Sequence, residues 1–273
     1  MNMEQKRLLA IGAHPDDCDI LCGGTAIKWA KAGHIVKFVS ATNGDTGHVV
    51  LSRAETAAAR KKEAEASRKM SGIFEYQVLD HPCGIEATLR NREEMIRLIR
   101  KFRPDVVLSH RLCDYHPDHR ATAQIVLDTA YVVMVPHNCE DTPIPEQAPV
   151  YGHMHDGFRE PRPFRIDAAI EFDSVLELKL KVMECHRTQF YEWLPWSVGR
   201  RDFDASKLSA GEKRVWLLTF LERFKKGTAA ARPILCRSLG AKAGKKVALA
   251  ELFEQSPYSR QVSRRDFQKL MEP

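Results

Sequence analysis

The chain has no apolar run near the roughly 18–20 residues a membrane-spanning helix requires, so no helical membrane span is expected. It also has no C-x-x-C pair. The seven cysteines, at 18, 22, 83, 113, 139, 185 and 236, are odd in number and scattered, which argues against a disulfide framework or a paired-cysteine zinc site. The opening segment has one short apolar run that ends in two acids, unlike a secretory leader. Free thiols in a reducing cytoplasm are the expectation. There is no internal repeat, low-complexity tract, zinc-finger spacing or aromatic ribonucleoprotein motif, so no specific nucleic-acid partner is expected. The first strand–helix turn lacks G-x-G-x-x-G and carries two acids, which would repel a pyrophosphate.

What is present suits one globular α/β domain with a sizeable core: 273 residues, 44% hydrophobic and 29% charged. The net charge of +6 is unevenly placed. Residues 225–273 hold eleven Lys/Arg against four Asp/Glu, so the rest of the chain is close to neutral. A basic tail can meet an anionic surface or an acidic neighbouring subunit, or can simply be solvated.

Short apolar runs alternate with helical patterns. RLLAIG at 7–12 and IVKFVSA at 35–41 read as buried parallel strands around a helix closed by Gly33. A long helix over 53–72, a weak strand at 76–79, a helix over 91–102 and the strand DVVLS at 105–109 follow, then a helix from about 119 to 133. Strands are expected at 150–155 and 166–171 and a helix at 177–185. Residues 195–207 read as loop and 211–224 as helix, and the tail holds two further helical stretches, 246–253 and 265–271. The pattern predicts a Rossmann-like, three-layer α/β sandwich with a mostly parallel sheet.

Two polar clusters fall at the carboxyl ends of predicted strands, where open α/β sheets bind ligands. The first is His14-Pro15-Asp16-Asp17-Cys18-Asp19; the second is HRLCDYHPDH, His110 to His119. Imidazoles and carboxylates are the ligands of zinc and related cations. His14 and Asp17, three apart at a helix start, can face one point. A third ligand would come from His119 or His116. Beside such a cation, Asp16 can act as general base, an imidazole can steady an oxyanion, and Asp118 can orient a ligand. The same His and Asp pattern also reads as a helix cap. Cys18 and Cys22 read as packing residues.

These residues resemble the LmbE-like, or PIG-L, family of metal-dependent N-acetylglucosamine deacetylases. Its AHPDD motif is matched by Ala13–Asp17, with Asp19 where the family usually has Glu. Its HPDH motif is matched by His116–His119. Residues 42–47 resemble its TxGExG loop, Arg60 and Glu63 sit where its helix carries Arg and Glu, and residues 179–189 resemble its K…HxSQ segment. The resemblance covers roughly residues 7–190 and implies Zn2+, with Fe2+ also able to fit, bound by His14, Asp17 and His119. It implies Asp16 as base, His116 at the oxyanion and Asp118 as support. Arg60, Asn43 and Asp19 are the expected substrate contacts, and Tyr151, His153 and His155 could line the pocket.

The expected activity is removal of an acetyl or other acyl group from an N-acetylated amino sugar or its conjugate. A thiol conjugate or another amide is the alternative substrate. An Fe(II) oxygenase and a non-catalytic binding module are the readings from other classes. Residues 1–190 would form the deacetylase domain and 191–273 an extension with the basic tail, packed on that domain or at the interface of a homo-oligomer.

Overall fold

The computed structural model describes residues 5–273. Its first half is four strands, each followed by a helix: β1 (Arg7–Gly12), α1 (Asp17–Lys31), β2 (Ile35–Ser40), α2 (Arg53–Ser71), β3 (Glu75–Val78), α3 (Leu89–Phe102), β4 (Val106–Ser109) and α4 (Pro117–Val132). Next come β5 (Val150–Met154), β6 (Ala168–Glu171) and α5 (Leu176–Glu184). A π-helical turn, Thr188–Trp193, runs into α6 (Leu194–Ser197). The remainder is α7 (Ala210–Leu221), α8 (Arg223–Ala230), α9 (Arg232–Leu239), α10 (Ala241–Lys246), β7 (Ala250–Ser259) and α11 (Arg264–Met271). No helix of the described residues is long and apolar enough to cross a membrane.

One seven-stranded sheet has the order β3-β2-β1-β4-β5-β7-β6. Strands β1 to β5 pair in parallel, and β7 runs antiparallel to both β5 and β6. The alternation of β1 explains why its run is apolar throughout. Leu8 and Ala10 enter a core with α1 and Trp29, while Leu9 and Ile11 enter the opposite core with residues of α3 and α4. Strand order reverses between β1 and β4, so the crevice beyond their carboxyl ends is the place where a doubly wound sheet binds ligands.

The tail departs from expectation. Residues 246–253 were expected to be helical because AL-AEL favours helices. The structure makes residues 250–259 a strand, seated between β5 and β6, with Ala250 to Ser256 all buried. Pairing on both sides and burial on both faces outweigh the local preference. The expected helix 211–224 is divided into α7 and α8 at Glu222, and the expected loop over 195–207 contains short helical turns. The helix near 265–271 is present as α11.

Glu251 of β7 locks this segment to the first half. Its carboxylate accepts from the backbone N–H of Gly24 (2.8 Å) and Thr25 (2.6 Å) in α1 and pairs with Lys179 of α5. The Lys179 ammonium also donates to the Ile20 carbonyl (2.7 Å). Both side chains are fully buried. Glu251→Ala should therefore lower unfolding free energy by about 3–5 kcal/mol, because it strands a buried ammonium. Urea titration checks this, and a midpoint equal to that of the native protein would refute it.

Candidate active site

The two His-Pro-Asp segments meet because β1 and β4 are neighbours. Gly12 ends β1, and a Cβ there would come within 2.6 Å of Asp17 Cβ, so glycine permits α1 to start close against the strand. At the second loop His116 caps α4, its Nδ1 accepting from Asp118 N–H (3.2 Å), with Pro117 at the first helical position.

Asp17 sits at the centre. Its Oδ2 accepts from the backbone N–H of Ala13 (2.9 Å) and His14 (2.8 Å). His14 Nδ1 lies 3.6 Å from Oδ2, and His119 Nε2 lies 3.5 Å from Oδ1. Tetrahedral coordination at about 2.0–2.1 Å places ligand atoms about 3.3 Å apart, and each imidazole stands near that separation from one oxygen of the carboxylate. The outer nitrogens are already committed. His14 Nε2–H donates to Asp118 (3.1 Å) and His119 Nδ1–H to Asp114 (3.0 Å), leaving Nδ1 of His14 and Nε2 of His119 as lone pairs.

The electrostatics also suit a cation. Burial pushes the His14 imidazole down, but Asp118 and Asp17 outweigh it and hold it well above its ordinary value. His119 is likewise raised, against burial, by Asp17 and Asp114. Burial pushes the Asp17 carboxyl up, yet His119 and His110 hold it well below the carboxylate range. Positive charge is thus favoured around the Asp17 carboxylate.

Asp16 stands beside them in a backbone conformation rare for a side-chain-bearing residue, φ 136° and ψ −26°. Arg60 holds it there, donating to Asp16 Oδ1 (2.9 Å) and to the Pro15 carbonyl (3.0 Å). Burial raises the Asp16 carboxyl to about 6, with Arg60 acting in the opposite direction. His116 is lowered, mainly by burial and then by the neighbouring charges of His14 and His119. Its cap bond occupies Nδ1, so Nε2 carries the proton of the neutral ring.

Of the three expected substrate contacts, Arg60 borders the cavity, and Asp19 and Asn43 do not line it. Arg60 is 2% exposed and borders the cavity with its guanidinium committed to Asp16 and the main chain. Asp19 is fully buried behind the site, accepting from Ser67 Oγ (2.5 Å) and pairing with His186 Nε2 (2.9 Å). Two residues along a helix turn a side chain about 200° from Asp17, toward α2 and α5. Asn43 closes a local turn, accepting from Asp45 N–H (3.2 Å), and its neighbours Thr46 and Gly47 border the cavity instead. Of the three strand residues, His155 borders the cavity; Tyr151 is bonded to Thr129 in the core, and His153 donates to the His110 carbonyl (3.0 Å).

Sequence reasoning gave no separate role to His110, Asp114 or Cys83. His110 stacks on His119 (4.1 Å, 8°), and its Nε2 lies 3.2 Å from Asp17 Oδ2. Among the described residues three trios of possible ligand atoms converge: His14, His116 and His119; Asp17, His110 and His119; and His14, Cys83 and Asp118. Asp114 and His110 were visible as members of the second cluster. Cys83 carried no signal, since it reaches the site from the loop after β3. Cys18 and Cys22 pack in the core.

The cavity at this site measures about 810 Å3. Its lining runs from buried Asp16 and Asp17 to an outer wall of half-buried His155, Phe158, Trp193 and Phe220 and exposed Arg223.

The family model described as PIG-L, GlcNAc-PI de-N-acetylase, matches residues 9–130, which contain both His-Pro-Asp segments. Diacetylchitobiose deacetylase of Thermococcus kodakarensis is 30% identical over 205 residues, covering 70% of this chain and 73% of that protein. Mycothiol S-conjugate amidase of Streptomyces coelicolor is 27% identical over 150 residues, covering 45% of this chain and 51% of that protein. Among solved structures, N,N'-diacetylchitobiose deacetylase from Pyrococcus horikoshii aligns with a TM-score of 0.68 at 23% identity, over 93% of this chain and 85% of that chain. The 4-carboxy-2-hydroxymuconate hydratase from Pseudomonas putida KT2440 shares the fold equally well, TM-score 0.68 at 19% identity, over 95% and 99% of the two chains. With its two motifs brought to one crevice and a relative matched along most of both lengths, the chain belongs to the PIG-L (LmbE-like) deacetylase family.

Proposed function

We propose that this amide-hydrolysing enzyme removes the acetyl group from an N-acetylated amino sugar or its conjugate, with a zinc ion held by His14 Nδ1, Asp17 and His119 Nε2. The observation that carries the reading is the approach of His14 Nδ1 and His119 Nε2 to the Asp17 carboxylate, at 3.6 and 3.5 Å, beside the strained Asp16. The deacetylase relatives support the substrate class. A bound divalent cation supplies Lewis acidity, making water acidic and polarising the acetyl carbonyl.

The chain's residues do the rest. Asp16 accepts the proton of the attacking water, Arg60 keeping its carboxylate aimed and charged. His116 donates its Nε2–H to the oxygen on which negative charge develops. Asp118 and Asp114 hold the two imidazoles in the tautomers that leave their lone pairs inward. The C–N bond then breaks, the proton taken up by Asp16 passes to the departing amine, and acetate leaves.

Acetate release from free N-acetylglucosamine, its disaccharide and thiol-precursor glycosides tests the reading. Release from none of these, with metal demonstrably bound, would end it. Chelation should abolish release and lower the melting temperature, since ligand at about 1,000 times its Kd stabilises by about 4 kcal/mol. Zinc should restore both. Undiminished turnover by protein shown to be metal-free would rule out a metal-dependent reaction. Release that requires oxygen would favour the iron oxygenase instead.

A further inference from the structure

The outer wall of the cavity differs in character from its metal-facing end. Arg111, also on the lining, is tied to Asp156 by a two-pronged ion pair. Arg223 is different: among the described residues no carboxylate lies within 4.0 Å of it. The acid next to it in sequence, Glu222, pairs with Lys225 instead. Its charge acts on two other residues of the lining, His155 and Tyr115. His155 leaves a second unmet group there, because its Nδ1 is buried with no hydrogen-bond partner. Burial pushes that imidazole down to about 4, so at neutral pH it is an uncharged ring. Phe158, Trp193, Leu194 and Phe220 line the same cavity. Phe158 stands near Tyr115 (6.1 Å), and Trp193 stacks on Trp196 (5.5 Å, 21°).

We infer that this wall is a subsite for an anionic group, a carboxylate or phosphate, borne by an apolar or aromatic aglycone of the substrate. A cation without a carboxylate partner, on the lining of the cavity that also holds the Asp/His cluster, orients a dipolar substrate. The acetamide goes to the Asp/His end and the anion to Arg223. A guanidinium recognises either anion through paired N–H donors, and the aromatic walls lower the local polarity in which it acts. His155, neutral and unpaired, donates or accepts one further hydrogen bond at the same place. The segment bearing Arg223 lies beyond the part of the chain matched by the family model, at 9–130. The inference rests on the deacetylase reading above.

The test compares 4-carboxyphenyl and 4-carbamoylphenyl N-acetyl-β-glucosaminides, which are alike in shape and differ in charge. The native holoenzyme should prefer the carboxylate about tenfold in kcat/KM, mainly through KM, with the ratio shrinking as salt rises. In Arg223→Gln the ratio should fall to near one, and Arg223→Lys should recover part of it. A phosphate-bearing aryl glycoside in the same series tells which anion is preferred. Calorimetric binding of the carboxyphenyl compound to the zinc-loaded Asp16→Asn variant, with and without Arg223→Gln, separates the two readings. Arg223-dependent binding without acetate release from the native enzyme would sink the deacetylase reading and keep the subsite. Release from both compounds at equal efficiency, unmoved by Arg223→Gln, would sink the subsite and keep the deacetylase. Neither binding nor release would overturn both.

Discussion

Replacing Asp16 with asparagine is expected to slow acetate release by about 10²–10⁴-fold, the usual worth of a positioned general base, while zinc content stays at the native level. Asparagine matches aspartate in shape and still offers Oδ1 to the Arg60 guanidinium, so the wall of the site should stand. It also tolerates positive φ better than most residues, and the backbone at this position sits at φ 136°. The melting temperature should therefore hold while turnover collapses. Native turnover by a metal-replete Asp16→Asn protein would move the proton acceptor elsewhere, with His116 the next candidate.

Arg60 offers a companion test with a fixed sign. Burial raises Asp16 and Arg60 opposes it, so removing the guanidinium should raise the carboxyl further. A base works only when deprotonated, so Arg60→Met should shift the acid limb of kcat/KM to higher pH. An unmoved limb would show that Asp16 is not the titrating base.

Ending the chain at residue 190 is expected to abolish folding, although the family resemblance runs only to about that point. The remaining segment would lack β7, which pairs with β5 and, among the described residues, is the sole strand partner of β6. It would lose Phe253, Phe267 and Met271 from the core that packs β1 and α1. Lys179 would be left fully buried without Glu251. Within the full chain, Phe267→Ala alone should cost about 3–5 kcal/mol, the usual range for a phenylalanine emptied from a core. The measurement is cooperative thermal unfolding of residues 1–190. A sharp transition in that fragment would show an independent domain, and we propose instead that residues 191–273 complete the same one.

The legible part of the site was the part written locally. His14-Pro15-Asp16-Asp17 and His116-Pro117-Asp118-His119 carry their ligand chemistry and their helix-start signals in four residues each, and strands β1 and β4 announce themselves by unbroken apolar runs. Residues whose roles depend on helix phase were less legible. Asp19 and Arg60 are chemically apt for sugar hydroxyls, yet one turns away from the crevice and the other is taken up by Asp16. Contacts supplied from distant loops were not legible at all. Cys83, and Arg223 on the outer wall, have nothing beside them in sequence to mark them.

The sequence by itself determined the α/β class and the two His-Pro-Asp segments that meet at one crevice, because periodicity and short-range chemistry act over a few residues. Only the tertiary structure decided that residues 250–259 are a strand, that Glu251 and Lys179 clasp α1, and which acids face the cavity. Those outcomes depend on burial and pairing between segments up to some two hundred residues apart, where context outweighs local preference.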